Sequence, residues 1–201
     1  NSYFLKDLDE GEPILLGECK GMTNQYSVSI SLDESSVFFL TSYDSDSETG
    51  TLNWIDYTRT DTSGQLIADN VKRAYAMAKG RGVYLTGDNT LYYFDGSGTE
   101  IIDTDVCWIR EDESRVVYEK SMGEEEGYVL KGIEPETSKE PVFESIICDT
   151  IVSSQNFDDI LYLSKEENQK NNLYSIGFHK KNTKIADCVT QILKNWNRID
   201  F

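Results

Sequence analysis

The chain holds one histidine and four cysteines, against 36 acidic and 19 basic residues, so chemistry would have to be built chiefly from carboxylates. The strip "SYDSDSETG", Ser42 to Gly50, sets Asp44, Asp46 and Glu48 at alternate positions. Alternating acids ahead of a glycine can wrap Ca²⁺ with several oxygens. The fit to a calcium loop is incomplete. Counted from Asp44, Gly50 falls one place late, and Ile55 stands where the closing glutamate belongs. Asp44, Asp46 and Glu48 are therefore candidate calcium ligands, with a solvated hairpin loop as the plainer account. Glu124, Glu125 and Glu126 read as a charged tip between two strands, which would also block edge pairing. Carboxylate pairs suited to glycoside hydrolysis are abundant, but no spacing in sequence sorts them.

Other reactive groups read blandly. His179, between Phe178 and Lys180-Lys181, is expected in an exposed turn. No G-x-S-x-G stretch is present to hold a serine nucleophile. Gly80-Arg81-Gly82 lacks the Gly-Lys-Ser/Thr ending of a phosphate loop and reads as a β-turn. Cys19, Cys107, Cys148 and Cys188 form no C-x-x-C pair, so a zinc knuckle is not indicated. Free, buried thiols acting as small apolar residues are expected.

The formal net charge of −17 argues against DNA, RNA and anionic lipid, all of which reward clustered Lys and Arg. It favours solubility, cationic partners or calcium. No apolar run approaches the roughly 20 residues of a membrane-spanning helix. The chain opens on Asn1-Ser2-Tyr3 without an initiator Met, as a mature fragment or a trimmed segment would. At 201 residues it is long enough to bury roughly 70% of its unfolded surface.

The elements that must position these groups repeat. A β-branched and aromatic run recurs at Val37 to Thr41, Val83 to Thr86, Val116 to Glu119 and Ile160 to Ser164. A second run follows a polar turn, at Thr51 to Ile55, Thr90 to Phe94, Gly127 to Leu130 and Asn172 to Ile176. The third is an octet closing on an apolar residue. It reads "EPILLGEC" from Glu12, "GQLIADNV" from Gly64, "TEIIDTDV" from Thr99, "EPVFESII" from Glu140 and "NTKIADCV" from Asn182. A weaker fourth run lies before each opening strand: Tyr26 to Leu32, Ala74 to Ala78, Cys107 to Ile109, and Ile151 to Val152.

Short strands rich in Val, Ile, Tyr and Phe between Gly/Asn/Asp/Ser turns are an all-β signal. A four-stranded unit of about 40 residues matches the blade of a β-propeller, in which neighbours supply the cover that one sheet cannot provide for itself. The expected fold is an all-β propeller of four-stranded antiparallel blades in a single domain. The units are 20–71, 72–106, 107–147 and 148–189. An N-terminal half-blade, 1–19, is completed by 190–201 to give five blades, unless the chain is part of a larger propeller. Residues 192–196 could instead form a short helix.

The stretch "VYLTGDNTLYYFDGSGTEIID", Val83 to Asp103, resembles the blades of TolB-like and YWTD-type bacterial propellers. There, a hydrophobic-Tyr-x-Thr-Asp strand leads to an Ile/Leu-Tyr strand, an Asp-Gly-Ser turn and a further strand. The units at Val37 and Ile160 match more loosely. The unit at Val116 lacks the Asp-Gly turn and has Lys131-Gly132-Ile133 instead. The resemblance implies an interaction platform and identifies no ligand-binding set.

Four loops join the first and second strand types: Asp44 to Gly50, Asp88-Asn89, Gly123 to Glu126 and Glu166 to Asn171. They should share one face, made acidic by Asp44, Asp46, Glu48, Asp88, Glu124, Glu125, Glu126, Glu166 and Glu167. The expected function is non-catalytic binding or scaffolding, with that face engaging a protein, peptide or cation. Alternatives are a hydrolase or lyase with a pocket at the propeller axis, and a ligand-sensing ectodomain of a larger bacterial envelope protein. No cofactor beyond calcium is implied, and no nucleic-acid partner or membrane insertion. An extracytoplasmic or cell-surface location is favoured. Trp54, Trp108, Trp196 and the tyrosines are expected to pack between blades.

Overall fold

The computed structural model describes residues 2–5, 14–18, 28–57, 64–123, 127–147, 149–154, 156–165 and 171–189. Among them there is no helix, and every strand pairing is antiparallel. The chain divides into two compact units, Asn1–Ser114 and Arg115–Phe201.

Unit 1 opens with β1 (Ser2–Leu5) paired to β2 (Ile14–Glu18). A seven-stranded sheet follows in chain order: β3 (Val28–Ile30), β4 (Ser36–Asp44), β5 (Thr49–Asp56), β6 (Gln65–Met77), β7 (Arg81–Thr86), β8 (Leu91–Phe94) and β9 (Thr99–Asp103). The unit's last strand is β10 (Val106–Asp112). The expected third and fourth runs at Gly64 and Ala74 are one strand, β6. Its first half pairs with β5, its second half pairs with β7, and Val71 stands opposite both Gly50 and Thr86. Two blade-like halves are thus joined through a single strand.

β4 shows what holds them. Phe38 and Leu40 point into one cluster with Leu52, Trp54, Val71, Ala74, Ala76, Tyr84 and Phe94, whereas Val37 and Phe39 point the other way and pack with Ile55. A strand alternates its side chains between faces, so a run buried at every position needs cover on both. Each such side chain contributes roughly 1.5–3 kcal/mol when withdrawn from water. Trp54 meets Phe94 edge-on at 5.0 Å between ring centroids, and Phe38 lies 5.9 Å from the same ring. Trp54 packs between sheet halves, as expected.

The junction recurs. Asn70, Asp105 and Cys188, each the seventh residue of its octet, adopt φ of 59°, 59° and 56°. Asn and Asp accept the left-handed region more readily than other side-chain-bearing residues. The eighth position then turns inward: Val71, Val106 and Ile147 are buried. In the fourth octet β-branched Ile146 keeps extended geometry within β13 (Ser138–Ile147).

Unit 2 contains β11 (Arg115–Ser121), β12 (Tyr128–Glu134) and β13 as a meander, and β14 (Asp149–Ser153), β15 (Ile160–Lys165), β16 (Asn171–Gly177) and β17 (Lys180–Ala186) as a second. Tyr162 donates to Ser145 across the two sheets at 3.0 Å, and Phe143 meets Phe178 edge-on at 5.3 Å. Arg115 donates to the Asn156 carbonyl at 2.7 Å, with its guanidinium 5.2 Å from the centre of the Phe178 ring.

Several local expectations need correction. Lys131-Gly132-Ile133 lies within β12, and the turn follows at Glu134 to Thr137, where the Thr137 amide donates to the Glu134 carbonyl at 2.9 Å. Gly132 serves a close approach: a Cβ there would stand 2.1 Å from the Phe143 ring. Ala78 to Gly80 make the turn after β6, and Arg81 and Gly82 begin β7. Cys107 and Cys188 are exposed rather than buried. Cys107 follows buried Val106 and so faces outward; Cys188 occupies the left-handed junction, where its amide donates to Asn172 at 3.1 Å. The side chains of Cys19 and Cys148, the completing segment 190–201 and Trp196 lie outside the described residues.

Gly82 tests the stacking. A Cβ at this position would fall 2.3 Å from the Phe38 ring and 2.5 Å from the Tyr75 carbonyl oxygen, whereas one at Gly98 meets nothing within 4 Å. Gly82→Ala is expected to lose about 1–3 kcal/mol in urea unfolding through overpacking. Gly98→Ala should stay within about 0.5 kcal/mol of the parent. Equal midpoints for the two variants would contradict the packing described.

Candidate functional site

The register of β6 brings the candidate acids of unit 1 to one end of its sheet. Val71 faces Gly50, the residue just past the β4–β5 loop, on one side and Thr86, the last residue of β7, on the other. With strands about 4.8 Å apart, Gly50 and Thr86 are about 10 Å from each other. The loops carrying Asp44, Asp46 and Glu48 and carrying Asp88 therefore leave the sheet together. Two hydrogen bonds add the neighbouring turns: Gly87 N–H to the Asn70 carbonyl at 2.7 Å, and Val106 N–H to the Asn89 carbonyl at 2.9 Å. Asp69, Asp103 and Asp105 join the same end by this route. Glu124, Glu125, Glu126, Glu166 and Glu167 lie outside the described residues.

The acids divide by what their oxygens do. Asp44 Oδ1 accepts the Asp46 amide and Oδ2 the Ser47 hydroxyl, each at 3.0 Å. Those bonds hold its carboxyl below the usual carboxylate range. Asp88 accepts hydroxyl hydrogens from Thr86 and Thr90, and its pKa is lowered chiefly by the Thr86 bond. Asp69 accepts the Thr51 hydroxyl at 2.8 Å. Asp46 and Glu48 are exposed beyond the turn that Asp44 ties. Lys72 donates to Asn89 at 2.9 Å, which places one cation at the margin. Both turn-binding carboxylates stay ionised well below neutral pH, so the end remains negative where most ligands would meet it.

Among the described residues no group of three or more His, Cys, Asp or Glu side chains is gathered as a metal site. Each Asp44 oxygen accepts one hydrogen bond within its own turn, which leaves further lone pairs on both.

Asp69, Asp103 and Asp105 were not singled out from the sequence, although their signal is present. They occupy the fifth to seventh positions of the octets "GQLIADNV" and "TEIIDTDV", beside the left-handed junction. Glu111 on β10 was missed entirely. Burial, with Asp112 adding to it, pushes its carboxyl up to about 7, against a smaller opposing pull from Arg110. His179 is 66% exposed in the turn between β16 and β17, as expected, with Nε2 3.8 Å from Asp158 Oδ1. A cavity of about 470 Å³ in unit 2 runs between β13 and the β16–β17 hairpin.

No family model matches the chain, and no curated protein matches it. Solved structures do. The β-propeller domain of the Trilobed protease from Pyrococcus furiosus is 9% identical, covering 94% of this chain and 58% of its own, with a TM-score of 0.50. A prolyl endopeptidase structure is 11% identical, covering 92% and 33%, at 0.51. TolB from Acinetobacter baumannii is 16% identical, covering 87% and 45%, at 0.48. The likeness is one of fold. The protease propeller domain and the prolyl endopeptidase support a propeller-like, all-β architecture; the chain spans less than two thirds of each of the three structures.

Glu111 supplies a pH test. A carboxyl whose folded pKa is raised costs stability as pH climbs above its ordinary value near 4.5, and the loss is complete above about 7. Glu111→Gln should therefore be more stable than the parent in urea unfolding at pH 8, with the gap closing by pH 5. Parallel pH profiles would rule the assignment out.

Proposed function

We propose that the chain is a non-catalytic binding module whose acidic sheet end in unit 1 engages a basic peptide, a basic protein surface or a cation. The observation that supports this most is the position of Val71 between Gly50 and Thr86, since it gathers Asp44, Asp46, Glu48 and Asp88 from separate hairpins. Carboxylates on loops whose strand ends stand about 10 Å apart add to one field, since the Debye length is about 10 Å at 0.1 M salt. Several of the carboxylates are spent on turns, which fixes their positions before any ligand arrives and lowers the cost of ordering.

The same reading takes the octets as outer strands of successive blades, giving about five blades or a portion of a larger ring. TolB and the propeller domain of a protease stand among the structural neighbours, and the fold alone does not choose between their uses. The favoured location is extracytoplasmic, as part of a larger envelope protein. Binding of Ca²⁺ at Asp44, Asp46 and Glu48 is the small-cation version of the same proposal.

Calorimetric titration of the full chain with hexalysine tests the proposal. Affinity should fall at least tenfold between 50 and 300 mM NaCl, because exposed charge pairs are screened. The double variant Asp46→Asn/Glu48→Gln, which leaves the turn bonds of Asp44 intact, should bind about tenfold more weakly at low salt. Affinity indifferent to both salt and the double variant would refute the reading. A parallel titration with CaCl₂ distinguishes a metal ligand from a peptide.

A further inference from the structure

We infer that unit 2 carries a second binding site, for an extended acidic peptide, along the free edge of β13. Among the described residues β13 pairs with β12 on one side, and no strand pairs on the other. Alternate backbone N–H and C=O groups of such an edge point away from β12, and no described strand takes them. The cavity of about 470 Å³ is lined by Val142, Phe143 and Glu144 in succession. Consecutive residues of a strand face opposite ways, so a groove lined by all three meets the strand edge-on.

The start of β13 is guarded. Lys139, Glu140 and Pro141 are residues that discourage edge pairing. The second half is not. Val142 is 50% and Ile146 59% exposed, flanking Glu144, while Phe143 and Ser145 are buried beneath. The groove floor is apolar, made by the edge-on pair Phe143 and Phe178 with Ile176 beside them. Its far wall is the β16–β17 hairpin, tethered to β13 where Asn182 Nδ2 donates to Ser145 Oγ at 3.0 Å.

Charge selects the occupant. In a chain of net charge −17, this wall carries His179, Lys180 and Lys181 in a row. Lys180 is paired with Asp159, His179 lies 3.8 Å from Asp158, and Glu144 is bound by Lys131 at 3.5 Å. Lys181 is exposed beside the groove, and among the described residues it has no ion-pair partner, so a ligand carboxylate can reach it. The complementary ligand is a strand that adds to β13 through main-chain hydrogen bonds, sinks an apolar side chain against Phe143 and Phe178, and offers an acid to Lys181. This is β-strand addition with a charge-selecting rim. It is independent of the acidic end of unit 1 and takes a ligand of opposite sign.

The test titrates the ¹⁵N-labelled full chain with a capped hexapeptide of alternating valine and glutamate, followed by NMR. Amide shifts are expected at Val142 to Ile146 and Ile176 to Asn182. Lys181→Glu should weaken binding about tenfold, and Lys181→Arg should retain it. Val142→Glu, at an exposed position that the fold tolerates, should weaken it similarly. No shifts at millimolar peptide, shifts elsewhere, or binding unchanged by Lys181→Glu would overturn the proposal. So would the same residues shifting with dilution of the protein alone, which would make a second copy the occupant. The hexalysine titration reports on unit 1 separately, so either site can fail without the other.

Discussion

Apolar cover on both faces of the central strands is the constraint from which the rest follows. β4 places Phe38 and Leu40 in one cluster and Val37 and Phe39 in another. A sheet wet on one side would strand two of those four side chains in water, at roughly 1.5–3 kcal/mol each. The sheet must therefore be stacked, and β6 does this economically. It closes one half as an outer strand, turns at Asn70, and opens the next half, so Val71 belongs to both ladders. Gly82 is small because Phe38 needs its space.

The same constraint sorts charge. When alternate positions of the central strands are all apolar, ionisable residues collect in turns and on outer strands. With 36 acids in the chain, the turns become acidic by exclusion, and many of those acids then acquire structural work. Asp33 accepts the Lys79 amide at 2.7 Å from the other half of the sheet, and Asp95 accepts the Ser97 and Gly98 amides at 2.8 Å. Bonds of this kind favour the ionised form and hold the Asp33 and Asp95 carboxyls below the usual carboxylate range. Acidity at the sheet end is thus partly the by-product of turn building. The distinction that matters for binding is between carboxylates that hold turns, such as Asp44 and Asp88, and those that project beyond them, such as Asp46 and Glu48.

Much of the fold was legible because period-two patterning and turn chemistry are local. The strands from Val37, Val83, Val116 and Ile160, their partners and the third-type strands stand where the residues place them. What failed to show was set by neighbours distant in sequence. The exposure of Cys107 depends on which face of β10 is covered, and that of Cys188 on a left-handed residue whose equivalents are Asn70 and Asp105. Gly132 looked like a turn glycine because the ring that requires it, Phe143, is a strand away. The raised pKa of Glu111 comes from burial, which no spacing records. The acidic end was legible in kind at Asp44, Asp46, Glu48 and Asp88. Asp69, Asp103 and Asp105 came into view only when register linked the octets to the loops.

Opposite charge at the two proposed sites implies opposite responses to ionic strength. A cation nearing the end of unit 1 is drawn both by the local carboxylates and by a net charge of −17, so added salt weakens each contribution in the same sense. An acidic peptide nearing β13 is held locally by Lys181 but repelled by the chain as a whole. Long-range repulsion between exposed charges is screened first, since it acts over more than the Debye length of about 10 Å at 0.1 M. Contact with Lys181 and the hydrogen bonds of an added strand persist at short range. Moderate salt therefore relieves the repulsion before it erodes the attraction, and the apolar floor of Phe143 and Phe178 is indifferent to it. Two surfaces on one negatively charged chain are in this way separable by ionic strength alone, because in one the local and global fields agree and in the other they oppose.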